Sequence, residues 1–339
     1  MQRTWATPFA TPLCSALALG AALMMLVGGG CSPSGKTGTQ ETTSKRPKVV
    51  TTTTMLTDLV SVIAGDTVDV QGIMAPGGDP HLYQPTPGDA KSIARADLVV
   101  THGLKLEGWI DDLVRNAGGK AQVVVSTEGI TPLQDPLKTG YPDPHTWQDV
   151  SLWKVQAANV RDALVALDPD NAASYRSRAA DHIKALETLD GWVTQQITQI
   201  PKERRVLVTS HDAFQYYGAR YGLEVVAVQG ISTESEAGAR DVARIVDVIR
   251  ERALPAIFVE SSVSPKLIEQ ISRETGASIG GTLFSDSLGP ADSPGGTYMG
   301  MIRENTTRVV AALNKATAQA PPKREDTRPT EPSSPKATP

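Results

Sequence analysis

Cysteine is close to absent. The 339 residues contain two, Cys14 and Cys31, which is too few for a disulfide framework or a thiolate metal cluster. If Cys14 leaves with a cleaved leader, the mature chain has no internal disulfide at all. A charge excess of either sign is also missing. Lys and Arg number 33 against 37 Asp and Glu, for a net charge of −4 and a pI near 5.8, so nothing points to nucleic acid as a partner. The rest of the composition, 40% hydrophobic and 21% charged, is ordinary for a globular protein. The length accommodates two lobes, each with its own core.

The first 30 residues carry one charged side chain, Arg3, and an apolar stretch from Ala16 to Val27 precedes Gly28-Gly29-Gly30-Cys31. A basic start, an apolar core and small residues before a cleavage point describe an export signal over 1–31. A cysteine directly after those small residues resembles a bacterial lipobox, in which Cys31 is lipidated, although Gly28 stands where an aliphatic residue is usual. An uncleaved anchor helix is the alternative, but Pro8 and Pro12 leave too short an apolar run to span comfortably. Either way the folded part is expected outside the inner membrane, tethered in the periplasm or at the cell surface.

Gly30 to Thr37 matches the phosphate-loop pattern letter for letter. That loop works between a buried strand and a helix, and the polar Gly-Thr-Gln-Glu-Thr-Thr-Ser that follows has no apolar period. Residues 32–47 read instead as a flexible spacer, and the proline- and charge-rich 317–339 as a disordered tail.

From Val49 the pattern alternates between strands and helices. Val49–Thr54, Val68–Ile73, Leu98–Val100 and Val123–Val125 read as strands of a first lobe, 48–168, and a helix follows Thr86-Pro87. Asp168-Pro169 has the form of a helix start. Beyond it Tyr175, Ala179, Ile183, Leu186, Leu189, Trp192, Val193 and Ile197 mark one long connecting helix, 169–200, with His182 on its solvated side. A second lobe, 201–316, repeats the plan. Arg205–Thr209, Glu224–Val228, Ala256–Glu260 and Ser278–Leu283 are its strands, and helices run from Glu236 to Arg252 and from Ser264-Pro265. Alternation of this kind argues for an α/β fold with parallel sheets covered on both faces.

The chemistry-bearing residues stand in the loops after these strands. Asp-Pro-His occurs twice, at 79–81 and 143–145, and His211 and Asp286 follow strands of the second lobe. Proline beside each of the first two histidines stiffens its loop. Asp79 and Asp143 are placed to orient the rings, since ligating imidazoles usually donate their other N–H to a carboxylate or carbonyl. His81, His145, His211 and Asp286 are read as one divalent-metal site. His102, at a strand end, is the sole reserve.

Six ordered segments carry a resemblance to a known family: Pro-Gly-Gly-Asp-Pro-His-Leu-Tyr-Gln-Pro-Thr-Pro (76–87), Gly-Leu-Lys-Leu-Glu-Gly-Trp (103–109), Asp-Pro-His-Thr-Trp (143–147), Val-Thr-Ser-His-Asp-Ala-Phe (208–214), Ile-Phe-Val-Glu-Ser-Ser (257–262) and Leu-Phe-Ser-Asp-Ser (283–287). Over 48–315 the chain resembles the metal-binding lipoproteins of bacterial ABC importers for zinc and manganese, of the TroA/ZnuA type. The resemblance implies two α/β lobes joined by one long rigid helix, with the metal in the cleft between them. It matches the family's four ligand positions to His81, His145, His211 and Asp286, makes Glu260 a supporting group, and implies an ABC permease and its ATPase as partners of a monomeric, lipid-anchored protein.

Three imidazoles and a carboxylate suit zinc, manganese, iron or nickel rather than calcium or magnesium. Histidine at 211 points to zinc, because manganese-selective relatives tend to carry an acid there. Against that, 104–144 lacks histidine, whereas many zinc-dedicated relatives have a His-rich loop in the first lobe. The expectation is therefore zinc first and manganese second. A zinc hydrolase would need an open coordination position and a base; Asp286 fills the fourth position and no H-E-x-x-H pair is present. A surface adhesin with a structural metal, a role attributed to some relatives, is the other alternative.

Overall fold

The first strand ends sooner than its sequence suggests. In the computed structural model, which describes residues 46–135, 140–235 and 237–315, β1 is Lys48–Thr51 and helix α1 already spans Thr54–Ala64. The threonine run is divided because Thr53 caps the helix, its hydroxyl accepting the Leu56 N–H; hydroxyl caps of this kind compete with strand pairing. The export signal with Cys31, nearly all of the spacer and the tail lie outside the described residues.

The chain continues through β2 (Asp69–Gly72), α2 (Pro87–Ala94), β3 (Leu98–Thr101), α3 (Ile110–Ala117), β4 (Gln122–Val125) and α4 (Val150–Leu167). Thr86 and Asp89 form a reciprocal cap at the start of α2, with Pro87 in its first turn. The strands make one parallel sheet in the order β2-β1-β3-β4. Alternation sets its two faces. Val49, Leu98 and Val100 pack toward α1 and α4, while Val50 and Val99 pack with Ile93, Ile110 and Leu113 of α2 and α3.

The long helix starts later than expected. Asp168 ends α4, its N–H bonding the Leu164 carbonyl, and Pro169–Asn171 form a single 3-10 turn. Helix α5 then runs Ala172–Thr198, about 40 Å at the usual rise. Proline suits the first position after a break, and the Asp168 carboxylate holds the join by accepting from Asn171 Nδ2 (2.8 Å) and Tyr175 OH (2.7 Å). His182 is corrected by the structure: it is buried, not solvated. The buried stripe of α5 runs Tyr175, Ala179, His182, Leu186, Leu189, Val193, Ile197, so His182 occupies an inward step of the helical period and Ile183 stands at its flank.

The second half comprises β5 (Val206–Thr209), α6 (Gln215–Tyr221), β6 (Glu224–Ala227), α7 (Ala239–Glu251), β7 (Ala256–Glu260), α8 (Lys266–Thr275), β8 (Ser278–Leu283) and α9 (Tyr298–Leu313). Its strands pair in parallel as β5-β6 and β7-β8, with β5 alongside β7. Here too alternate residues face opposite ways. Val206, Val208, Ile257 and Val259 pack under α7 and α8. Leu207, Ala256 and Phe258 join the largest core, which continues through α5 and α9 into the first half. The α/β fold with parallel sheets is thus as expected. Loops leaving the carboxyl ends of β2, β4, β5 and β8 carry the candidate residues, which is where open parallel sheets present ligands.

Candidate metal centre

One nitrogen from each of His81, His145 and His211 and one oxygen of Asp286 all lie within 4.8 Å of one another. His145, His211 and Asp286 are buried, and His81 is half-buried. Nε2 of His81 faces Nε2 of His145 at 3.4 Å. His145 Nε2 lies 3.5 Å from Asp286 Oδ1, and His211 Nε2 lies 3.3 Å from Asp286 Oδ2. Asp286 Oδ1 and His211 Nε2 have no hydrogen-bond partner although fully buried. Buried polar atoms are rarely left so, and this convergent set fits a divalent cation with nitrogen and oxygen preferences.

The rings are aimed from behind. His145 donates both its backbone N–H (2.9 Å) and Nδ1–H (2.7 Å) to Asp143 Oδ1, which leaves Nε2 turned to the centre. At His81 the motif does less: its backbone N–H donates to Asp79 Oδ1 (2.9 Å), and the other Asp79 oxygen accepts from Thr233 (2.6 Å). Glu260 serves His211, taking its backbone N–H at 2.8 Å and lying 2.5 Å from Nδ1. Asp286 Oδ2 accepts from Ser262 (2.8 Å) and Ser285 (3.1 Å), so Oδ1 is the freer oxygen.

Electrostatics divide the candidate ligands. Burial works against charge on His145, but the Asp143 and Asp286 carboxylates outweigh it and lift the ring to about 9. His211 is likewise buried, and Asp286 and Glu260 hold it well above the usual range. Burial alone would raise the Asp286 carboxyl, yet His211 and His145 keep it far below its ordinary value. For His81 burial dominates, helped by repulsion from the other two rings, and pushes it down to about 3. The metal-free centre therefore holds protons at His145 and His211, which an arriving cation must displace.

His102 stays outside the cluster. Its Nε2–H donates to the Pro144 carbonyl at 2.6 Å, so it braces the loop that carries His145. Glu107 in turn holds His102, accepting its backbone N–H (2.7 Å), that of Gly103 (3.1 Å) and the Thr52 hydroxyl (2.5 Å). These contacts give the 103–109 segment its role. The same segment ends at Trp109, whose Nε1–H donates to the Pro80 carbonyl at 3.1 Å and props the His81 loop.

Several supports escape sequence reasoning. Trp147 Nε1–H and Gln148 Nε2–H donate to the Ser285 carbonyl at 2.7 and 3.0 Å, tying the His145 loop to the Asp286 loop. Asn305 on α9 grips Phe284 twice, accepting its N–H (2.9 Å) and donating to its carbonyl (2.8 Å). Trp109, Trp147 and Ser262 lie inside recognisable segments, which was a signal of place but not of task. Asn305 and Thr233 give no signal in one sequence.

Comparison with known proteins gives a consistent picture. The family described as zinc-uptake complex component A, periplasmic, matches residues 49–312. The zinc-binding protein TroA of Treponema pallidum is 41% identical over 274 residues, covering 79% of this chain and 89% of the relative. The manganese-binding lipoprotein MntA of Bacillus subtilis is 37% identical over 300 residues, covering 86% and 96%. The iron-binding protein YfeA of Yersinia pestis is 38% identical over 264 residues, covering 77% and 84%. Among solved structures, the Treponema pallidum periplasmic zinc-binding protein superposes with a TM-score of 0.76 at 40% identity, covering 80% of this chain and all of that one.

Proposed function

This chain belongs to the zinc-uptake component A family of metal-binding solute-binding proteins of ABC importers, and from that premise we propose that it captures zinc outside the cytoplasm and delivers it to a permease. The family is one of carriers, not of enzymes, which removes the hydrolase alternative. His81, His145, His211 and Asp286 hold the metal. Residues 48–168 and 201–316 act as the two lobes, each supplying two of these ligands, and 169–200 connects them. Cys31 carries the lipid anchor, and the protein acts as a monomer with a permease and its ATPase.

The carrying observation is the convergence of three imidazoles on Asp286, whose two oxygens are treated unequally. Ser262 and Ser285 both donate to Oδ2, while buried Oδ1 receives no hydroxyl and faces His145 Nε2 at 3.5 Å. That asymmetry favours binding through one oxygen and a four-coordinate, tetrahedral centre, the preference of zinc. A bidentate Asp286 would make five donors and suit manganese better, so manganese is the second choice. Metal arrives at the side of half-buried His81, displaces protons from His145 and His211, and draws the lobes onto one another; the permease then accepts the loaded form.

Elemental analysis of protein purified without chelator, followed by competition between zinc and manganese in calorimetry, tests the assignment. Zinc is expected to displace manganese at equal concentration. Preferential retention of manganese would overturn the choice of metal.

A further inference from the structure

The two Asp-Pro-His loops are built alike but fastened differently. In each, the aspartate accepts the backbone N–H of the histidine two residues on, at 2.9 Å in both cases. In each, the aspartate also receives a hydroxyl from the second half of the molecule. Tyr216 of α6 donates to the main-chain carbonyl of Asp143 at 2.7 Å while accepting the Leu133 N–H at 2.9 Å, and this junction is buried. Thr233, between β6 and α7, donates to Asp79 Oδ2 at 2.6 Å, and both residues of this pair are only half-buried.

We propose that Thr233 is the latch that closes the His81 loop over the bound metal and sets how long the metal stays. The inference rests on the metal site proposed above. His81 is the one candidate ligand that reaches a surface cleft, lined by Tyr83, Trp109, Ile231 and Ser232. Its loop reaches the second half at two points, the Gly77 N–H donating to Ser287 Oγ at 2.8 Å at the loop's start and the Thr233 hydroxyl to Asp79 beside His81. The second is a hydroxyl–carboxylate bond at the rim, where water can replace either partner once the His81 end of the loop swings out. The His145 loop has no such exit, because the Tyr216 junction, His102 and Trp147 all fasten it in buried surroundings. His81 therefore leaves first on release and closes last on capture. Thr233 is a positioning residue in this scheme: its hydroxyl bonds Asp79 and is not one of the converging donors.

Stopped-flow release of cobalt(II) and zinc from the full chain into excess chelator tests the latch, with the cobalt absorption spectrum reporting the ligand set. Thr233→Val and Thr233→Ala are expected to release metal about tenfold faster, the factor for one net hydrogen bond to a charged group of ~1.5 kcal/mol. The cobalt spectrum should be unchanged, and Thr233→Ser should restore the wild-type rate. Release at the wild-type rate in both Val and Ala variants overturns the latch, as does an altered cobalt spectrum. Wild-type protein that binds neither ion would instead refute the metal site itself, an outcome separate from failure of the latch.

Discussion

Glu260 holds His211 at two points: Oε1 accepts the backbone N–H at 2.8 Å, and Oε2 lies 2.5 Å from ring Nδ1. The carboxylate thus fixes both where the residue sits and which nitrogen faces Asp286. Glu260→Gln keeps the shape but loses the charge and turns one contact into a competition between donors. Partners behind metal-bound histidines typically contribute 10–100-fold in affinity. Zinc calorimetry of this variant should show a loss of about that size with an unchanged circular dichroism spectrum.

His211→Ala removes a proposed ligand and strands two buried carboxylates, Glu260 and Asp286. Tight binding should disappear while the secondary structure remains. The metal-free variant should also melt lower than wild type, because Glu260 and Asp286 lose their counter-charge and breaking a buried pair costs about 3–5 kcal/mol. Isothermal titration and thermal melts check both halves. Wild-type affinity in this variant would mean that the ligand set is wrong.

The pH dependence follows from His145. Its folded pKa, about 9, lies above the ordinary 6.5, so in the metal-free protein its stabilising charge is fully present below about pH 6.5 and is lost as pH rises through about 9. Metal takes neutral rings. Affinity should therefore climb with pH over this window by about tenfold per unit for each proton displaced. The rise in Tm on adding zinc should grow in the same direction. Equal affinities at about pH 6.5 and about pH 8.5 would contradict this.

Asn305 offers a test remote from the ligands. Asn305→Leu leaves the Phe284 N–H without its partner and weakens the hold on its carbonyl, where Gln148 offers a longer bond of 3.4 Å. An unpaired buried group costs about 1–3 kcal/mol, so the urea midpoint should fall. Zinc affinity should fall as well, because Phe284 sets the backbone two residues before Asp286.

Much of this was legible in the sequence because the motifs and the periods coincide. Strands read from β-branched runs end where the chemistry-bearing loops begin, and the repeated Asp-Pro-His places Asp143 Oδ1 within hydrogen-bond reach of both the backbone N–H and Nδ1 of His145. Asp79 bonds only the backbone N–H of His81, since the same tripeptide is completed by a different neighbour, Thr233. Helix α4 is harder to read: Val150, Trp153, Ala157, Val160 and Leu164 form its buried stripe, but its start lacks the acid–proline pair seen at Asp168-Pro169. The polarity of a histidine points His182 outward, whereas its position in the helical period, seven residues after Tyr175 and four before Leu186, places it on the buried face. Contacts such as Thr233 to Asp79 join residues 154 apart in sequence, and no local pattern encodes such a distance.

The central claim is that one cation sits among His81, His145, His211 and Asp286. Anomalous diffraction from zinc-loaded crystals, collected at the zinc edge, measures this directly. The account predicts a single strong peak about 2.0–2.2 Å from one nitrogen of each histidine and from an oxygen of Asp286. A peak elsewhere on the molecule, or one that omits any of the four side chains, would contradict it.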